Sequence, residues 1–159
     1  MGRRMMKVEI ERTRKGHPAL WERGGGYSNT GVAQIICGER GEPLSPIYVR
    51  RRGHLANGSH ALFVIRPGYH VIQADHHRED FYIKVLSVVE IEGDEAICNL
   101  VSLYSEGEWE PPLPNYLTAA VKAAVEKATC YHCRSPHYVE GRDLSKIDLP
   151  SRLLEELGL

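Results

Sequence analysis

Several things are scarce in this chain, and each scarcity excludes something. No apolar run in the 159 residues approaches the length of a membrane-spanning helix. The opening MGRRMMKVEIERTRK lacks the apolar centre of a secretory signal, so a soluble, cytoplasmic protein without a membrane partner is expected. Four cysteines at very uneven spacing do not make a secreted disulfide framework. Only two glutamines occur, and few thermolabile amides are compatible with a thermophilic source. Internal repeats and low-complexity segments are absent.

Net charge is −1, but the first third and the remainder differ. Residues 1–53 carry 11 Lys/Arg against 5 Asp/Glu, a balance of +6; residues 54–159 carry 9 against 16, a balance of −7. A basic first third can meet nucleic acid or another polyanion, or pair with the acidic remainder inside one fold or across a homo-oligomer. Arg50-Arg51-Arg52 concentrates that charge. Strand alternation puts Arg50 and Arg52 on one side, where guanidinium groups suit anion binding.

The patterning predicts an α+β fold, mainly antiparallel β, in one domain of 1–159. The β-rich part spans 6–104, a linker 105–114, and a helical part 115–159. About seven strands are expected, at 8–13, 32–37, 47–52, 61–65, 71–74, 81–91 and 96–104, from alternating or continuous apolar runs. No helical period separates them, so a parallel sheet with crossover helices is not expected. A barrel or strongly bent sheet would limit free edges. Residues 16–30 are expected as a loop, and its run from 24 to 31, GGGYSNTG, is able to present backbone N–H groups. It lacks the lysine-hydroxyl pair of a P-loop. YLTAAVKAAVEKAT, 116–129, predicts a helix whose stripe is Leu117, Val121, Ala124, Val125 and Ala128, with Asn115 as its N-cap. A second short helix is expected at 150–157.

The stretch from 59 to 80, SHALFVIRPGYHVIQADHHRED, is expected as a hairpin. Pro67 and Gly68 carry type II turn chemistry, with Gly accepting positive φ. Pairing Arg66 with Tyr69 would set Phe63 opposite Ile72 and His60 opposite Asp75, with His77 on the same side. His60, Asp75 and His77 could then hold a divalent transition metal or transfer protons. His70 falls on the apolar side, as a core histidine with one ring nitrogen satisfied. Asp75-His76-His77 looks like the namesake triplet of the DHH phosphoesterases, but over those residues only. The aspartates that family places earlier have no counterpart, because residues 1–74 contain no aspartate. Nothing is carried over from it.

A second candidate site is Cys130, Cys133 and His137. The C-x2-C spacing lets two thiolates grip one tetrahedral zinc, with His137 as a third ligand. Cys37 and Cys98 sit within apolar strand runs and are expected in the core. Three functions follow from these residues. One is a metal-binding protein of nucleic-acid or regulatory type. Another is a small metal-dependent or acid–base enzyme at the 60–77 stretch. The last is an oligomeric scaffold without chemistry.

Overall fold

The structure is a computed structural model, and it describes residues 4–26, 30–49, 60–77 and 80–128. Eleven strands precede one helix in this order: β1 Met5–Glu9, β2 Glu11–Arg12, β3 Pro18–Trp21, β4 Arg23–Gly26, β5 Thr30–Cys37, β6 Ile47–Val49, β7 His60–Val64, β8 His70–His77, β9 Asp80–Glu92, β10 Glu95–Ser105, β11 Glu108–Glu110 and α1 Thr118–Lys127. A 3-10 turn, Asn115–Leu117, leads into the helix. Among the described residues the architecture is mostly antiparallel β followed by one short helix, in keeping with the α+β expectation, though the strands number eleven rather than about seven.

The strands form two sheets, and a closed barrel is not among their arrangements. A seven-stranded sheet runs β1-β10-β9-β8-β5-β4, with β11 also on β10; a four-stranded sheet runs β2-β3-β7-β6. The chain passes between sheets at Ile10, which separates β1 from β2, and at Glu22, which separates β3 from β4. These two corners use residues expected to be one straight strand and one loop. At the first corner Ile10 N–H donates to Asp94 C=O at 2.9 Å, and at the second Glu22 N–H donates to Ala61 C=O at 3.0 Å, so neither bend leaves these donors unpaired.

The expected 59–80 hairpin does not form. Its turn does: Tyr69 N–H donates to Arg66 C=O at 3.1 Å, and Gly68 has φ +96°. But β7 pairs with β3 and β6, while β8 pairs with β5 and β9. A type II turn does not match the twist of two paired strands and splays them apart. Here the splayed arms enter different sheets. The turn is itself held by Val88 of β9, whose C=O accepts from Gly68 at 2.7 Å and whose N–H donates to Tyr69 C=O at 2.8 Å. Phe63 and Ile65 therefore do not share a core cluster with Ile72 and Ala74.

The large sheet is buried on both sides. On one side Ala33, Ile35, Cys37, Ile72, Ala74, Phe81, Ile83 and Val85 pack under α1. On the other, Ile36, Val71, Leu86, Val88, Ala96 and Cys98 pack with Leu20, Phe63 and Ile65 of the small sheet and its turn. Cys37 and Cys98 are buried free thiols, as expected. Each Val, Leu, Ile or Phe among these residues contributes about 1.5–3 kcal/mol on burial. The helix stripe read from the sequence is the buried one: Leu117, Val121, Ala124, Val125 and Ala128 are each 0% exposed. Asn115 is not its cap, because the 3-10 turn intervenes and Leu117 occupies the N-cap position without a side-chain bond.

The glycine run is an edge strand rather than a loop, at least over Gly24–Gly26, whose backbone pairs with residues 31–33 of β5. Residue 24 has to be glycine because α1 lies on it: a Cβ there would sit 2.9 Å from Lys127 Cβ. Lys127 then reaches Glu22 Oε1 at 2.6 Å, tying the last turn of the helix to the second corner. A cation in that last turn also complements the helix dipole. The segment expected as a linker after 105 contributes β11, whose Trp109 is buried against Tyr104 at a ring separation of 5.2 Å.

A polar groove on the large sheet

Two apolar runs in the sequence each contain a single glutamine. Val32-Ala33-Gln34-Ile35-Ile36-Cys37 lies on β5, and Val71-Ile72-Gln73-Ala74 on β8. Strand alternation turns Ala33 and Ile35 toward the helix and Gln34 to the opposite face. The same holds on β8, where Ile72 and Ala74 face α1. The register then sets Arg23 opposite Gln34, Gln34 opposite Gln73, and Gln73 opposite Lys84, a row across β4, β5, β8 and β9. The next row on the same face brings Val32 opposite Asp75 and Asp75 opposite Tyr82.

Beyond the reach of the small sheet's core, these rows line an open groove of about 240 Å³, formed by Arg23, Val32, Gln34, Gln73, Asp75, Tyr82 and Lys84 together with Ala33. Gln34, 3% exposed, donates from Nε2 to Trp21 C=O at 2.8 Å, and its Oε1 accepts from Gln73 Nε2 at 3.0 Å. That pair satisfies the buried amide, whose polar atoms would otherwise be desolvated without recompense. Tyr82 is 39% exposed and the Lys84 ammonium lies 5.7 Å from its ring centroid. Neither the Arg23 nor the Asp75 side chain makes an ion pair or hydrogen bond with another described residue. Two cations, a carboxylate, an aromatic ring and a fixed amide pair thus share one solvent-facing site.

The residues expected from the sequence are distributed differently. Asp75 and His77 do lie on one face of β8 and are exposed, with His77 opposite Asp80. His60 is on β7 in the other sheet, paired with Val49, so the register that was to set it opposite Asp75 does not exist. Among the described residues no three His, Cys, Asp or Glu side chains are grouped to hold a metal ion. Arg50, Arg52, Cys130, Cys133 and His137, and the helix expected at 150–157, lie outside the described residues.

The two inward histidines of β8 are structural neighbours of the helix side. His76 is fully buried and stacks on Phe81 with centroids 3.9 Å apart. His70 is 3% exposed, and both of its nitrogens are engaged rather than one: Nδ1 with Gly38 C=O at 3.2 Å, Nε2 with the Tyr116 hydroxyl at 3.3 Å. Burial pushes its pKa below the ordinary histidine value, outweighing the Gly38 carbonyl and the nearby Glu39 and Glu42 carboxylates, which pull it up. Cys37 and Cys98 are pushed up to about 11, in both cases first by burial.

Arg23, Gln34, Gln73, Tyr82 and Lys84 were not singled out by sequence reasoning. The signal that could have found two of them is the lone polar residue inside an apolar strand, since a buried glutamine needs a partner. No protein-family model, curated protein or solved structure matches the chain. No described helix is long and apolar enough to cross a membrane.

Proposed function

We propose that this chain is a nucleic-acid-binding module that takes a single strand across the polar face of its large sheet, with zinc at Cys130, Cys133 and His137 in a structural role. The observation that carries this reading is the row Arg23–Gln34–Gln73–Lys84 with Tyr82 beside it. The backbones that carry the two cations at the ends of the row stand about 14 Å apart, three strand spacings, and each side chain can meet a phosphate. Between them Gln73, whose Oε1 is not used by Gln34, offers a hydrogen bond to a base. Tyr82 offers a stacking surface that every base can use. A sheet face with this composition suits an unpaired strand, whose bases are splayed and accessible. The +6 balance of residues 1–53, Arg50 and Arg52 included, adds attraction for the backbone.

The test is binding of short fluorescent oligoribonucleotides by the full chain, followed by anisotropy across a salt series. Affinity is expected to fall as salt rises, through counterion release. Lys84→Ala and Arg23→Ala should each flatten the salt slope by about one phosphate contact. If no single strand is retained at low salt, or if neither substitution changes the slope, this reading fails. Metal analysis of untagged protein tests the zinc; preparations without stoichiometric zinc would remove that part and leave the groove's role standing.

A further inference from the structure

We propose that the groove is selective for guanine, a deepening that rests on the single-strand reading above. Gln34 donates to Trp21 C=O, so its Nε2 points there and its Oε1 points to Gln73. Gln73 must therefore present Nε2 to that oxygen, and its own Oε1 is left as an acceptor with no donor among the described residues. A glutamine can ordinarily turn its amide over; this one is fixed by its neighbour.

Two residues along β8, Asp75 adds an acceptor-only carboxylate on the same face. It makes no ion pair with Lys84, although both line the same groove. A free carboxylate repels phosphate, so in a single-strand site it has to meet a donor edge. Guanine is the base whose Watson–Crick edge presents two adjacent donors, N1–H and the N2 amino group, beside one acceptor, O6. The carboxylate of Asp75 can accept both donors together, as carboxylates accept paired donors from arginine. Tyr82, directly opposite Asp75, supplies the plane against which the ring lies. Adenine and cytosine would turn a ring-nitrogen acceptor toward the carboxylate, and uracil offers a single N–H between two carbonyls.

The experiment compares oligouridylates carrying one central guanosine, inosine, adenosine or cytidine, read by anisotropy with the full chain at one moderate salt concentration. Guanosine should bind about tenfold tighter than adenosine or cytidine, the discrimination of one well-placed two-bond contact. Inosine, which keeps N1–H and lacks the N2 amino group, should lose most of that advantage. Asp75→Asn, checked for an unchanged circular dichroism spectrum, should cancel the ratio between guanosine and adenosine. Free guanosine monophosphate that displaces the guanosine oligonucleotide at similar concentration would identify the isolated nucleotide as the ligand source; a requirement for the strand would identify the polymer. Equal affinity for all four oligonucleotides would overturn guanine selectivity and leave single-strand binding in place. A guanosine preference that survives Asp75→Asn would overturn this site for it. Absence of binding to any of them would end both readings.

Discussion

Gln73 donates from Nε2 to Gln34 Oε1 at 3.0 Å, and these are the chain's only two glutamines. They are thirty-nine positions apart in sequence and directly opposite in the β5–β8 register. Each sits alone in an apolar strand run, and each resolves the polar need of the other. Replacing Gln34 by Leu removes the acceptor of Gln73 Nε2 and a donor to the Trp21 carbonyl, and should cost about 1–3 kcal/mol. The double change to Leu at both positions should cost less than the sum of the single changes, because neither amide is then left without its partner. A double-mutant cycle from urea unfolding measures the coupling, and strict additivity would show that the pair does not act together.

The buried His70 should make stability depend on pH in a definite direction. Its folded pKa lies below the ordinary value of 6.5, so above that value both folded and unfolded states hold it neutral and its stabilising contribution is complete. As pH falls below about 6.5 the unfolded chain takes up the proton first and stability declines, until the folded pKa is also passed. Urea midpoints across this window should fall more steeply for the native chain than for His70→Gln. Parallel curves would show that His70 does not carry the effect.

Gly24→Ala is expected to destabilise despite removing chain entropy from the unfolded state. That entropy gain is about 0.4–1 kcal/mol in favour of alanine. Against it stands a Cβ placed 2.9 Å from Lys127 Cβ, an atom that cannot swing away without moving α1. Forcing the helix off the sheet costs about 1–3 kcal/mol, so the net sign is a loss. Thermal unfolding reads it directly, and a raised midpoint would mean that the helix end yields freely.

The thiols of Cys37 and Cys98, with pKa values of about 11 and no exposure beyond 2%, should resist alkylation at neutral pH in the folded chain. Mass spectrometry after brief iodoacetamide treatment should find both unmodified, and both modified in denaturant. Rapid labelling of either without denaturant would contradict the core packing described for β5 and β10.

What the sequence made legible was whatever depends on local period. The α1 stripe reads directly from the 3.6-residue recurrence of Leu117, Val121, Ala124, Val125 and Ala128. The long β9–β10 pair reads from two alternating runs around Gly93, which has φ +60° in the connecting turn. What failed depends on partners far along the chain. The turn at Pro67-Gly68 is locally correct, yet local chemistry does not say whether its arms pair with each other; Val88 and the competing strands β3, β5 and β9 decide that. The same gap hid the groove. Gln34 and Gln73 are conspicuous singly, but their meeting with Arg23, Asp75, Tyr82 and Lys84 is a product of register across four strands. The glycine run misled for the opposite reason: glycine usually signals a loop, and here it admits a helix.

Because neighbouring residues of β5 and β8 point alternately to the two sides of the sheet, the strands that carry the groove's amides are riveted from behind. Ala33, Ile35, Ile72 and Ala74 hold the same backbone against α1 that presents Gln34 and Gln73 in front. A ligand arriving at this face therefore meets a floor that has already surrendered its freedom, and little further ordering is charged to the encounter. Such a surface captures at a rate set by diffusion and electrostatic steering. Differences in affinity between one sequence and another would then be written in how long each stays.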